Sequence, residues 1–253
     1  MIKMKRRHSR KKALKISIVI PARNEEKNIK EAIAQFTKYK KRYNLEVIVS
    51  DGISTDNTVA IAKKYADLVV KYKGGLKHTI AEGRNRGASK AKGDLLIFVD
   101  ADIRVPDPSK LFDKALEMYG RKDVAAGTMD MYIYPEEENI LDRILFFIGN
   151  MIVRLSILVK KHIIKGECQV VKKEFFDKVK GYNAHLVAAE DSDLYQRISK
   201  YGKIVILKGF KIYDSPRRFR QEGYLKAIWG YFINNLSVLF RKKAVAKEWK
   251  PVR

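Results

Sequence analysis

Two aspartates spaced two apart, Asp100 and Asp102, follow the apolar run LLIFV. At a strand end they point to the same side, beside the following loop. Hard oxygen donors with few other ligand types suit Mg²⁺ or Mn²⁺ held jointly with a diphosphate. A second acidic pair, Glu190-Asp191, opens a helical pattern that includes Asp193, Leu194 and Arg197. Carboxylates there stabilise the positive end of a helix dipole. The same placement suits a general base that takes a proton from an attacking hydroxyl. Ser215-Pro216-Arg217-Arg218 is a rigid turn carrying two guanidiniums, the geometry of bidentate phosphate recognition or of one more basic surface. Arg84, Asn85, Arg86 and Lys90 precede the aspartates within reach of a nucleotide, although Arg86 and Lys90 read better as a solvated helix face.

These groups need a scaffold that brings them together. Apolar runs rich in β-formers alternate with helical patterns: strands at 16–20, 46–50, 68–71 and 95–99, and helices after each. Ile29, Ile33 and Phe36 mark the first helix, Asp56 caps the next, and Asp107-Pro108 starts another. The segment 79–91 reads as helical despite Gly83 and Gly87. Alternation at this spacing predicts an α/β fold, a parallel sheet with helices on both faces. In the second half the pattern predicts strands at 124–134, 166–172 and 203–207 and helices at 173–179 and 191–201. Ligands of such sheets sit outside the carboxyl ends of the strands. Pro21-Ala22-Arg23-Asn24-Glu25, Asp51-Gly52 and Asp100-Ala101-Asp102 fall at three such ends. No loop of the GxGxxG or GxxxxGK[ST] type is present, which argues against a nicotinamide dehydrogenase or a P-loop ATPase.

The 253 residues carry a formal net charge of +24, from 53 Lys and Arg against 29 Asp and Glu. Nucleic acid, anionic lipid or a phosphorylated ligand would each answer that charge. No basic recognition helix or RNA-binding aromatic motif supports the first. Residues 1–15 hold eight Lys and Arg with no acid, and the basic start does not run into a signal-peptide core. One cysteine, Cys168, excludes an internal disulfide framework, and with four scattered histidines it forms no zinc site of usual spacing. A cytoplasmic setting, peripheral on the membrane's cytoplasmic face, is the expectation.

Two stretches bear on membranes. Residues 144–159 are apolar apart from Asn150 and Arg154, and are short for a bilayer span. Arg143, Asn150, Arg154 and Lys161 line one helical face. In 224–240 and the residue after it, Lys226, Gly230, Asn234, Ser237 and Arg241 form a narrow polar stripe among aromatics. Either helix can lie in a membrane interface or pack on the sheet.

The ordered set PARNEE, VSDGISTDNT, EGRNRGASKAKGDLLIFVDAD, GECQVVKKEFFDKVKGYN and AAEDSDLYQR resembles the family 2 glycosyltransferases over residues 14–210. The resemblance implies a GT-A fold, with a Rossmann-like, mostly parallel central sheet flanked by helices. It implies nucleotide contacts at Pro21, Ala22, Glu25, Asp51, Gly83, Arg84 and Asn85, with Asp100 on the ribose and Asp102 on the metal. It makes Asp191 the base and Glu190 its acceptor-side neighbour, places Glu167 and Cys168 at the acceptor, and puts Asp214 where some members carry a third metal ligand. Arg217 and Arg218 would assist at the diphosphate. The QxxRW segment of processive members is missing, since only SPRRFRQ follows the acidic pair.

The expectation is therefore an inverting, metal-dependent, non-processive glycosyltransferase. A UDP- or GDP-linked sugar would pass to a hydroxyl of a lipid-linked or membrane-associated acceptor, with Mg²⁺ or Mn²⁺ as cofactor and no nucleic-acid partner. The expected organisation is a basic arm at 1–13, a GT-A domain at 14–220 and a membrane-facing helix and basic tail at 221–253. Rivals are transfer onto a polyprenyl phosphate, which is already ionised and needs no base, and a non-catalytic basic module that binds membranes or nucleic acid.

Overall fold

The computed structural model describes residues 14–74 and 79–246. The arm expected at 1–13, the end of the basic tail at 247–253, and His78 lie outside the described residues. In chain order the first half forms β1 (Ile16–Ala22), α1 (Ile29–Thr37), α2 (Lys40–Tyr43), β2 (Leu45–Asp51), α3 (Thr58–Tyr65), β3 (Leu68–Lys71), α4 (Ile80–Ala88), β4 (Leu95–Val99) and α5 (Pro108–Gly120). The second half adds β5 (Val124–Ile133), α6 (Ile140–Leu158), β6 (Cys168–Lys172), α7 (Lys173–Lys178), α8 (Glu190–Ile198), β7 (Lys203–Asp214), α9 (Arg217–Glu222) and α10 (Tyr224–Arg241). The expected boundary at 220/221 falls inside α9.

The strands make one sheet of order β3-β2-β1-β4-β6-β5-β7. β4 reads as an unbroken apolar run and β1 and β2 as mostly apolar ones because helices bury both sides of each strand. One core joins Ile18, Val49 and Ile97 to Ile33 and Phe36 of α1 and Phe112 of α5. The other packs Val19, Ile48 and Phe98 against Ala88 of α4 and Leu194, Tyr195 and Ile198 of α8. Each of these large side chains stabilises the fold by roughly 1.5–3 kcal/mol relative to its exposed state. The helix at α4 tolerates Gly87 because it needs it: a Cβ there would lie 2.4 Å from Val19 Cγ1, so only glycine lets α4 approach β1 this closely.

Only β6 runs against the sheet, antiparallel to both β4 and β5. Its reversal puts the start of β6 beside the end of β4, where Cys168 pairs with Val99 and the Asp100 N–H donates to the Glu167 carbonyl at 2.9 Å. β7 runs past the expected end at residue 207. A register shift between Met129 and Met131 lets it follow β5 to the pairing of Ile133 with Asp214. That extension carries Asp214 to the same end of the sheet.

Candidate active site

A cleft of about 200 Å³ opens at the carboxyl ends of β1 and β4. Of the residues expected at a site, Pro21, Ala22, Glu25, Gly83, Asp100, Asp102, Glu167, Asp214, Arg217 and Arg218 line it. The first loop is held from the neighbouring one: the Glu25 N–H donates to Thr58 Oγ1 at 2.7 Å and the Asn24 N–H to Ser54 Oγ at 2.9 Å. Asp51 lies between two lining residues, Ser50 and Gly52, and is itself buried, accepting from the Ser54 N–H at 3.2 Å.

Arg84 sits elsewhere than expected. It is 1% exposed and its guanidinium is spent inside the protein. Nη1 donates to Glu190 Oε1 at 2.7 Å, while Nη2 donates to both oxygens of Asp100, at 2.9 and 3.1 Å, and to the Gly166 carbonyl at 2.9 Å. The Tyr182 ring lies against it, 5.5 Å from the guanidinium carbon. In this geometry Arg84 joins the loops of the site and does not face the cleft. The reason is the buried carboxylate pair, which an arginine fork satisfies in one plane. Asn85 is likewise committed, donating to the Tyr182 carbonyl and accepting from the Tyr182 N–H, both at 2.8 Å. Cys168 is 1% exposed in the β4–β6 ladder, and burial with the nearby Asp100 charge raises its thiol well above the ordinary range. It lines no part of the cleft.

Asp100 keeps some exposure. Burial and the Asp102 charge push its carboxyl up to about 7, with Arg84 opposing them. Asp191 begins α8 behind the cleft wall, 8% exposed. Burial, then the adjacent Glu190 carboxylate, raises its carboxyl well above the usual carboxylate range, and Arg84 works against both. One of its oxygens accepts from the Ser192 N–H at 2.7 Å. The other packs on Gly166, where a Cβ would lie 2.8 Å from it. A carboxylate so placed holds a proton closer to neutral pH than a solvated one, as a general base requires.

The oxygens around Asp102 suit a hard divalent cation. Asp102, Glu167 and Asp214 share the cleft, and the fields of Glu167 and Asp102, added to burial, raise the Asp214 carboxyl well above its ordinary range. Glu167 Oε2 is buried without a hydrogen-bond partner. Crowded acceptor oxygens of this kind are relieved by a cation. Among the described residues no three His, Cys, Asp or Glu converge as a complete metal cage. The three aspartates expected as ligands are not drawn to one point, because Arg84 holds both oxygens of Asp100. A cation here would complete its shell with phosphate oxygens and water, the usual habit of Mg²⁺. Asp102 is meanwhile bound by Arg217 Nη2 at 2.6 Å, and the same nitrogen lies 3.7 Å from Glu25.

Several lining residues were not among the expected ones, Arg86, Phe219 and Tyr231 among them. Arg86 turns into the cleft, with Nη2 donating to the Asp51 carbonyl at 2.8 Å and Nη1 paired to Glu82 at 2.6 Å. Its position three residues after Gly83, on one helical face, was the available signal. Phe219 and Tyr231 come from α9 and α10 and left no local sign, since only tertiary packing brings those helices over the sheet end.

The seven-stranded, mostly parallel sheet flanked by helices is of the GT-A class. Residues 17–180 match the description "Glycosyl transferase family 2", and the chain belongs to that family. It is 28% identical over 122 residues to a dolichol-phosphate mannosyltransferase of Pyrococcus furiosus, covering 46% of this chain and 33% of that protein. It is 27% identical over 219 residues to a poly(ribitol-phosphate) beta-glucosyltransferase of Bacillus spizizenii, covering 75% of this chain and 33% of that one. The chain thus spans about a third of the length of these curated relatives. Among solved structures, it resembles the mannosyltransferase PcManGT of Pyrobaculum calidifontis in complex with GDP-Man and Mn²⁺. The TM-score is 0.68 at 20% identity, over 92% of this chain and 64% of that one. Glucosyl-3-phosphoglycerate synthase of Mycobacterium tuberculosis, bound to Mn²⁺ and UDP, gives a TM-score of 0.61 at 18% identity, over 89% of this chain and 78% of that one. At these identities the structural likeness establishes the fold.

Proposed function

We propose that this chain transfers a sugar, with inversion and without processivity, from a UDP- or GDP-linked donor to a hydroxyl of a lipid-linked or membrane-associated acceptor. The observation that carries the reading is the single buried guanidinium of Arg84, which joins Asp100 on the cleft to the Glu190-Asp191 pair behind it. Donor site and base are thereby held at a fixed separation, which is what an in-line displacement needs.

The diphosphate lies across the cleft between the first loop and Arg217 with Arg218, whose guanidiniums stabilise the charge that grows on the leaving group. Asp191 takes the acceptor hydroxyl's proton as the oxygen attacks the anomeric carbon. A divalent cation bound at Asp102 would add Lewis-acid charge stabilisation to the same diphosphate. Support for the donor comes from the neighbours solved with GDP-Man or with UDP. Support for a lipid-linked acceptor comes from the net charge of +24 and from the relative named for dolichol phosphate. We place the reaction on the cytoplasmic face of a membrane, in keeping with a chain whose one cysteine is buried. That same relative also favours a second reading, transfer onto the phosphate itself.

The test is turnover of labelled UDP- and GDP-sugars with a membrane lipid extract, with and without a chelator. Product that appears only with Mg²⁺ or Mn²⁺ supports the reading. Absence of both nucleotide binding and transfer, with either ion present, removes it.

A further inference from the structure

The helices α6 and α10 turn many of their large apolar side chains away from the protein. On α6 two polar side chains face the protein: Asn150 Nδ2 donates to the Met131 carbonyl at 2.9 Å, and Arg154 pairs with Asp130. The apolar residues face outward, with Phe147 66%, Leu155 54% and Leu158 76% exposed. On α10, Asn235 accepts from Ser192 Oγ at 2.6 Å on the inner side. Leu225 at 87%, Trp229 at 62% and Phe240 at 73% lie outside. A water-facing helix shows the opposite arrangement.

The two helices are joined at both ends. At their starts, Tyr224 of α10 donates to Asp142 of α6 at 2.9 Å, and Arg220 grips the same carboxylate. At their ends, His162 and Ile163, just beyond α6, share a small cavity with Val238 and Leu239 of α10. No described element covers the outward sides. Contiguous exposed apolar area of this extent marks an interaction surface.

Charge decides what the surface meets. From 143 to 165 and from 223 to 246 the chain contains no Asp or Glu. Among the described residues, the exposed charges within these two stretches are all cationic, among them Lys160, Lys161, Lys226, Lys242 and Lys243, and the exposed acids Glu136 and Glu137 lie just before α6. Apolar side chains rimmed by cations complement an anionic bilayer, whose headgroups take the charges while the acyl boundary takes the rings. No helix of the described residues is long and apolar enough to cross a membrane. Asn150 and Arg154 of α6 and Asn235 of α10 instead fix both helices against the protein, so they lie along the bilayer surface.

We propose that α6 and α10 together dock this protein flat on an anionic lipid bilayer. The docking orients the cleft, because α10 also supplies Tyr231 to the cleft wall. An acceptor held in the membrane then reaches the site from the side where the two helices lie. This deepens the lipid-linked-acceptor reading of the same site, and it is measured apart from catalysis.

The experiment is flotation of the full chain with phosphatidylcholine vesicles, with and without about a third phosphatidylserine. Phe147→Asp and Trp229→Asp each lower binding to the anionic vesicles at least about tenfold, and raising salt to about 1 M weakens wild-type binding. Both variants keep the wild-type melting temperature and affinity for UDP or GDP, since neither residue touches the cleft. Equal flotation of wild type and variants overturns the proposal. So does a stable dimer, seen by sedimentation, that Phe147→Asp dissociates without altering vesicle binding; a second copy would then be the occupant. Transfer to a soluble acceptor without vesicle binding overturns the docking and leaves the activity standing. Vesicle binding without transfer supports the docking and removes the activity.

Discussion

Arg84 donates to Glu190 at 2.7 Å across a sequence separation of 106 residues. The bond ties the helix before the first aspartate pair to the helix that begins with the second. Because the same guanidinium holds Asp100, the donor side and the base side share one buried cation. Removing one partner of such a buried cluster leaves an uncompensated charge, at a cost of about 3–5 kcal/mol.

Arg84→Lys retains the charge and loses the fork. The expected result is a fall in kcat of about a hundredfold, with little change in nucleotide affinity. Titration calorimetry with UDP and GDP beside steady-state kinetics makes the comparison. A Kd that rises in step with the loss of turnover would show that Arg84 touches the nucleotide after all.

Asp191→Asn removes the base and keeps the shape. For a hydroxyl acceptor turnover falls by roughly 10²–10⁴-fold. For a phosphate acceptor it stays near wild type, which would sink the hydroxyl reading. The raised carboxyl of Asp191 also sets the acid limb of the wild-type pH profile. The base works only when deprotonated, so activity is lost on acidification at a pH above the ordinary carboxylate value of about 4.

Gly166→Ala tests the wall in front of the base. The new methyl would stand 2.8 Å from an Asp191 oxygen and 3.4 Å from the Arg84 nitrogens. The carboxylate must shift, and kcat is expected to drop by about a hundredfold while nucleotide affinity is retained. Wild-type kcat in this variant would be evidence against the placement of Asp191.

Asp102→Asn tests the cation. The half-saturating Mn²⁺ concentration for turnover is expected to rise by about tenfold or more, through loss of one anionic oxygen ligand. Activity that is unaffected by a chelator in the wild type would remove the metal from the reaction.

Asp142→Asn tests the joint between α6 and α10. Burial alone would raise the Asp142 carboxyl, but Arg220, the Asn139 N–H and Tyr224 outweigh it and hold it below the ordinary range. A depressed carboxylate contributes stability above its unfolded pKa of about 3.9 and loses it as pH falls through the folded value. The variant therefore melts below wild type at neutral pH, and the gap closes on acidification below about pH 4. A gap that persists unchanged at acid pH would contradict the pairing.

Much of this protein was written in local pattern. Apolar runs and helical periods of three and four placed β1 to β4 and α1, α3, α4 and α5, because strand and helix spacings are properties of neighbouring residues, and the four-residue α2 carried no such period. The aspartates, the acidic pair and the SPRR turn could be picked out for the same reason: strand ends and helix starts are local. Tertiary structure decided what those groups touch. Arg84 and Asn85 sit in a helix that could face either way, and only the close approach permitted by Gly87, with Glu190 arriving from 106 residues away, turns Arg84 inward. Tyr231 enters the cleft for a like reason, and Asp214 reaches it because β7 follows β5 through an irregular register. The polar stripes of α6 and α10 were visible in the sequence, but a stripe does not say which side meets water. Packing settled that: Met131 and Asp130 claim Asn150 and Arg154 of α6, Ser192 claims Asn235 beside the α10 stripe, and the large apolar side chains are left outward.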